Sequence, residues 1–256
     1  MNFLVVIPAR YASSRLPGKM LLDIAGKPMV VRVAQRAALS QASDVIVATD
    51  HAQIEAAAQS HGLRTMLTRS EHQSGTDRLA EVVQTLQLGD DAVIVGVQGD
   101  EPLIDPLLID AVAQDLLAHP DAVITTAAKP ITRAEDFFNP HFVKVVCDAA
   151  GLALYFSRAP IPYARDAFGE SQQVLPAALP ALHHIGIYAY RAGFLKRFGN
   201  LSQSPAEKFE ALEQLRALHH GYRIAVRIWD EEIEAGVDTA QDLARVRAKF
   251  ASIEHP

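Results

Sequence analysis

Cysteine is almost missing from this sequence. Cys147 is the single one in 256 residues, so no disulfide can close within the chain and nothing points to an oxidising compartment. No cysteine and histidine cluster has zinc spacing. In "VKVVCDA" the lone thiol reads as a small buried hydrophobe in a strand. A basic excess is lacking too. The formal net charge is -6, which argues against a general nucleic-acid binder. The N-terminal "MNFLVVIPARY" has no basic n-region, and its apolar run is too short to cross a bilayer. The expectation is a cytoplasmic protein without membrane insertion. Internal repeats, low-complexity segments and interdomain linkers are also lacking, as are the P-loop GxxxxGK[ST] and the dinucleotide fingerprint GxGxxG.

What is present is an ordinary globular composition, 49% apolar and 21% charged. At this length it fits one α/β domain with a sizeable core. "FLVVIPA" is a strand buried on both faces, and "PMVVRVAQRAALSQ" carries helical spacing with Pro28 at its first turn. "DVIVATD", "DAVIVGVQGD" and "AVITTAAKPI" read as further strands. "AQIEAAAQSHG", "GTDRLAEVVQTLQLG" and "PLLIDAVAQDLLAHP" read as helices between them. Such alternation predicts a mostly parallel sheet with helices on both faces. After about residue 130 the rhythm changes. "FVKVVCDAAGLALYFSRAPIP" predicts a hairpin around Ala150-Gly151, and residues 159–182 a long excursion of the kind that often serves dimerisation. "HHIGIYAYRAGFLKRF" restarts as a strand, and "PAEKFEALEQLRALHHG" predicts one helix with Phe209, Leu212 and Leu215 as its apolar stripe. "IAVRIWDEEIEAGVD" supplies late strand material.

In an open parallel sheet, ligands sit beyond the carboxyl ends of the strands. That rule brings "PARYASSRLPGK", "ATDH" and "VQGDEP" to one edge. Arg10, Arg15 and Lys19 in a loop tightened by Pro17 and Gly18 suit phosphate oxygens. The alternative is a solvated basic turn. Asp100, at a strand end facing that loop, is either a Mg²⁺ ligand or the cap of the next helix. Asp238 in "EAGVDTAQDL" carries the same two readings. On "HHIGIYAY", His184, Gly186, Tyr188 and Tyr190 share one strand face, where His184 is a ligand contact or a structural histidine. Glu213 and Gln214 flank the late apolar stripe, as site residues or as a solvated helix edge.

Taken together, "IPARYASSRLPGK", "VATDH", "HQSGTDRLAEV", "VQGDEP", "YFSRAPIP", "HHIGIYAY", "EALEQLRAL" and "GVDTAQDLARVR" resemble the 3-deoxy-manno-octulosonate (KDO) cytidylyltransferases nearly end to end. The sister CMP-sialic acid synthetases share the loop but not its tyrosine. The resemblance implies a Rossmann-like nucleotide-diphospho-sugar transferase fold. It would be a single domain over 1–256, with an arm at about 150–190 that builds a homodimer. It implies the reaction of CTP with KDO to give CMP-KDO and pyrophosphate, for lipopolysaccharide assembly, with Mg²⁺ as cofactor. Arg10, Arg15, Lys19 and Arg78 would hold the CTP phosphates, Ala9 and Ser74–Gly75 would face the cytosine, and Gln98 would lie between nucleotide and sugar. Asp100 and Asp238 would bind Mg²⁺. Arg158, His184, Tyr188, Glu213 and Gln214 would contact the sugar acid. Met20 departs from the more usual proline. Another 2-keto sugar acid is the nearest alternative substrate. An NAD-dependent oxidoreductase and a non-catalytic nucleotide-binding module are the alternatives from other classes.

Overall fold

A computed structural model of the chain describes residues 2–13, 16–72 and 74–254. The chain divides into two compact units. One comprises Met1–Gln114, Ala189–Gly199 and Glu232–Pro256; the other comprises Asp115–Tyr188 and Asn200–Glu231. The first unit begins with β1 (Phe3–Ala9), a 3-10 turn (Lys19–Leu21), and the small ribbon β2 (Asp23–Ile24) and β3 (Lys27–Pro28). Then come α1 (Met29–Ala37), β4 (Asp44–Thr49), α2 (Ala52–Gln59), β5 (Arg64–Leu67), α3 (Gly75–Thr85), β6 (Val93–Gly96) and α4 (Pro106–Ala118), whose last turn is already assigned to the second unit. The second unit continues with β7 (Ile124–Pro130), α5 (Ala134–Phe138), β8 (Lys144–Cys147), β9 (Ala153–Ser157), α6 (Arg165–Glu170) and β10 (Leu182–Arg191), whose residues from Ala189 on are assigned to the first unit. α7 (Ala192–Phe198) belongs to the first unit, α8 (Pro205–Glu210), α9 (Gln214–His219) and β11 (Ile224–Ile228) to the second, and α10 (Ala240–Glu254) to the first.

The sheet is mostly parallel, as the alternation predicts. In the first unit the strand order is β6–β1–β4–β5 with every neighbour parallel; Val5 of β1 pairs with Val45 on one side and Val95 on the other. A central strand flanked on both edges must be apolar on both faces, and Val5, Val6, Ile7 and Ala9 are fully buried. Because β4 lies on one side of β1 and β6 on the other, the winding reverses there. Ligands in such sheets bind at that reversal, beyond the carboxyl ends. The loops leaving β1 and β6 are those that carry Arg10 to Lys19 and Gln98 to Glu101.

In the second unit β7 pairs with β11 in parallel, while β8 runs antiparallel to β9 and β10. The β8–β9 hairpin turns where expected, with Gly151 in the left-handed region at φ 77°. Cys147 is half-buried in β8, and burial with the neighbouring Asp148 charge pushes its thiol up to about 11. Within the excursion, α6 anchors the chain by placing Phe168 against Phe137 and Ala181.

The helix predicted over "PAEKFEALEQLRALHHG" is instead two short helices, α8 and α9, broken at Ala211 in the left-handed region (φ 51°, ψ 48°). Phe209 is therefore not part of a buried stripe. It is 93% exposed, while Leu212 and Leu215 are buried. The break is held by Arg216, whose Nε reaches both oxygens of buried Glu207 (3.2 and 3.0 Å) and whose Nη2 adds a third contact (2.5 Å). Strand material also ends at Ile228, earlier than the sequence suggests.

Candidate nucleotidyl-transfer site

A cavity of about 350 Å³ opens in the first unit, lined by Pro8, Arg10, Lys19, Met20, His72, Ser74, Gly75, Arg78, Gln98, Gly99, Asp100 and Asp238 among others. Ala9 is fully buried in β1, and its neighbours Pro8 and Arg10 face the space instead. Arg15 lies outside the described residues. The basic loop ends in the 3-10 turn, and Gly18 enters it at φ 62°, a backbone that favours glycine. Gly99 is crowded: a Cβ there would stand 2.8 Å from the Met20 sulfur, which can move, and 3.0 Å from the Pro8 carbonyl oxygen, which is fixed backbone.

Lys19 is the centre of the arrangement. Its buried ammonium donates to Asp100 Oδ2 (2.6 Å), Asp238 Oδ1 (3.2 Å) and the Val237 carbonyl (2.9 Å). Residues 138 positions apart in sequence (238 − 100) thus meet at one point. The capping alternatives are resolved by geometry. Asp105, not Asp100, accepts the Leu107 N–H at the start of α4 (2.9 Å). At the start of α10, Thr239 Oγ1 accepts the Asp242 N–H (3.2 Å) and Asp242 Oδ2 accepts the Thr239 N–H (2.9 Å), a reciprocal cap that does not use the Asp238 carboxylate, which accepts from Lys19.

Two carboxylates and a carbonyl converging on one positive charge form a hard-oxygen donor set, with the ammonium marking where cationic charge is favoured. Among the described residues no group of three His, Cys, Asp or Glu side chains could hold a metal. Two carboxylates completed by phosphate and water fit Mg²⁺ rather than zinc. Glu101, next in sequence, is pushed up to about 8 by burial and by the Asp100 charge, so it stays protonated at neutral pH.

Further residues brace the cavity. One Asp50 carboxylate accepts the Tyr11 N–H (3.0 Å) and Arg78 Nη2 (3.0 Å), joining the basic loop to α3. Buried Arg78 also contacts Thr68 through Nη1. Tyr11 stacks on His51, with ring centroids 3.9 Å apart at 16°. Ser74 caps α3 by accepting the Asp77 N–H (3.1 Å), which brings Gly75 against the ring of Pro8. Asp50 and His72 lie within "VATDH" and "HQSGTDRLAEV", yet the sequence alone does not single them out as site residues. An acidic residue closing a strand was the available signal for Asp50; none distinguished His72, which contacts Glu81.

The second unit carries the remaining candidates. His184 and Tyr188 face the same way on β10, with ring centroids 5.4 Å apart, and His184 meets Phe156 of β9 edge-on at 4.9 Å. Burial pushes His184 down to about 3, so it is neutral at ordinary pH. Its Nε2 lies 2.9 Å from Thr126 Oγ1, whose hydroxyl also reaches the backbone carbonyls of Ile187 (2.7 Å) and Ile185 (3.0 Å). The hydroxyl has one proton for these three acceptors, so the imidazole tautomer sets its partner: it donates to a carbonyl where Nε2 carries the ring proton, and can donate to Nε2 where Nδ1 carries it. Arg158 follows β9, against which α9 packs. Glu213 opens α9, and Gln214 is buried with its Nε2 lacking any acceptor among the described residues.

Residues 4–228 match the sequence profile of a family described as cytidylyltransferase. A solved structure of CMP:2-keto-3-deoxy-manno-octonic acid synthetase complexed with CTP is 40% identical. The match covers 99% of this chain and 100% of that one at a TM-score of 0.89. A cytidylyltransferase from Leptospira borgpetersenii serovar Hardjo-bovis shares the fold at 15% identity and a TM-score of 0.60, over 98% of this chain and 87% of that one. A family profile spanning most of the chain and a full-length relative at that identity lead to one assignment: the chain belongs to the cytidylyltransferase family, and within it to the CMP:2-keto-3-deoxy-manno-octonic acid synthetases, as a nucleotidyltransferase.

Proposed function

We propose that this chain transfers the cytidylyl group of CTP to the anomeric hydroxyl of KDO, releasing pyrophosphate. The observation that carries the reading is the convergence of Lys19, Asp100 and Asp238 in a cavity flanked by Arg10 and Arg78. Attack on a phosphorus with an anionic leaving group needs positioning and charge neutralisation more than covalent help. Arg10, Lys19 and Arg78, with Arg15 from the same loop, would hold the triphosphate and shield charge growing on the departing pyrophosphate. Ser74 and Gly75, with the turn after Ala9, would face the base. Gln98 would contact both substrates.

Cytidylyltransferases generally use a divalent metal, and Mg²⁺ held by Asp100 and Asp238 fits the donor set. When bound it supplies charge neutralisation and Lewis acidity at the α-phosphate. On the sugar side Arg158, Tyr188, Glu213 and Gln214 would contact KDO. Gln214 supports this reading, because a buried amide without a partner costs roughly 1–3 kcal/mol that a ligand oxygen would relieve. His184 would act as a neutral dipole, since a group at about 3 is a poor proton acceptor near neutrality.

We also read residues 1–256 as one cytidylyltransferase domain in the functional sense, with about 150–190 serving a homodimer. Leu154, Tyr163 and Val174 in that stretch are apolar yet 62%, 54% and 71% exposed, which supports a covering partner. A role in lipopolysaccharide assembly in the cytoplasm follows from the KDO reading. No helix among the described residues is long and apolar enough to cross a membrane.

The direct test incubates the protein with CTP, Mg²⁺ and KDO and follows pyrophosphate. Turnover with KDO and none with a sialic acid is expected. Turnover with a sialic acid alone would replace KDO by that substrate.

A further inference from the structure

An arginine on a strand end is flexible, and a flexible cation binds a carboxylate less well than a fixed one. Arg158 is fixed at four points. Its N–H donates to Glu210 Oε2 (2.9 Å), its Nε to the Glu210 carbonyl (2.7 Å) and its Nη1 to the Pro140 carbonyl (3.1 Å). Its own carbonyl accepts from the Lys144 ammonium (2.6 Å). Lys144 is fully buried and also donates to the carbonyls of Asn139 (3.0 Å) and Phe142 (2.6 Å), so all three of its donor directions are used.

Glu210 is the hub of this clamp. Its second oxygen accepts from Ser157 Oγ (2.6 Å), which itself accepts the Ala159 N–H (3.0 Å). The left-handed Ala211 stops α8 at Glu210, so the Glu210 carbonyl does not continue the helical ladder and is open to Arg158 Nε. One residue thus grips Arg158 with both its side chain and its backbone. Among the described residues no acceptor meets Arg158 Nη2, so the far end of the guanidinium stays presented.

We propose that Glu210 is a positioning residue that fixes Arg158 so that its open guanidinium end meets the carboxylate of the sugar acid. This rests on the reading of Arg158 as a sugar-acid contact. The helix break at Ala211 is then a functional feature, because a continuous helix would bury the Glu210 carbonyl in its own hydrogen bonding.

The test compares Glu210→Gln, Arg158→Met and the double variant in steady-state assays with KDO and CTP. Glu210→Gln puts an amide N–H where a donor already points, and losing a charge-assisted bond gives an expected rise in the KM for KDO of roughly 10-fold. The KM for CTP should stay within about twofold, since among the described residues the hydrogen bonds of the Glu210 carboxylate go to Ser157 and the Arg158 N–H. In the Arg158→Met background the same Glu210 change should add less than about twofold, because its partner is gone. An equal penalty in both backgrounds, or a rise in both KM values, marks Glu210 as merely structural and overturns the proposal. So does an unchanged KM in Glu210→Gln while Arg158→Met is impaired. If Arg158→Met itself leaves the KM for KDO unchanged, the reading of Arg158 falls and the proposal falls with it. Should Glu210→Gln not fold, Ser157→Ala is the second probe: it is expected to raise the KDO KM by about threefold, and no rise would overturn the proposal.

Discussion

Lys19, Asp100 and Asp238 are charged groups meeting at the edge of an open cavity in the first unit. His184, Thr126 and Gln214 in the second unit are neutral groups sealed from solvent. The first set tolerates charge because each carboxylate shares the ammonium and keeps some contact with water, with side-chain exposures of 29% for Asp100 and 50% for Asp238. The second tolerates burial by being uncharged: His184 and Thr126 bond each other and His184 gives up its charge, while the Gln214 amide keeps an unmet donor among the described residues. The ionic cluster matches the triphosphate and divalent metal proposed for it; the neutral residues match the proposed contacts to a sugar.

The strongest way to break this contrast is to remove one charge from the first unit. Asp100→Asn keeps the shape and removes an anion from the donor set. We expect kcat to fall on the order of 10²-fold or more. Near-normal kcat for this variant at saturating Mg²⁺ would overturn the proposal that Asp100 is a metal ligand.

A second test acts on the neutral network through pH. His184 is held at about 3 in the fold against its ordinary 6.5, so between those values the unfolded chain binds more protons. Stability therefore falls as pH drops below about 6.5 and continues to fall toward 3. From pH 7 to pH 5 this one group should remove about 2 kcal/mol. His184→Gln keeps a donor near Thr126 but cannot titrate, so in chemical denaturation it should lose about 2 kcal/mol less over that interval. Equal pH sensitivity in the two proteins would show that His184 is not the neutral, buried group described above.

The smallest effect is expected at Phe209. With 93% of its surface exposed, Phe209→Ser should change unfolding free energy by less than about 0.5 kcal/mol. A larger loss, accompanied by a smaller sedimentation coefficient, would instead place this ring in a contact between copies.

Much of the first unit was legible because its signals are local. A doubly buried strand writes a continuous apolar run, as "FLVVIPA" does. A tight basic loop writes its own Pro17, Gly18 and cations. Tertiary partners were harder to read. The periodicity of "KFEALEQLRAL" favours one helix. The Glu207–Arg216 ion pair and the clamp on Arg158 favour the break at Ala211, and they won. Likewise Asp100 and Asp238 each looked equally like helix caps, and the choice depended on where Lys19 pointed.

The sequence by itself determined the parallel sheet of the first unit, the place of the basic loop at its edge and the family. Those features follow from runs and motifs a few residues long. Only the tertiary structure decided that Asp100 and Asp238 share one ammonium, that burial keeps His184 neutral, and that Glu210 grips Arg158. Each depends on desolvation and on partners far apart in the chain, and neither quantity is written in any local stretch of residues.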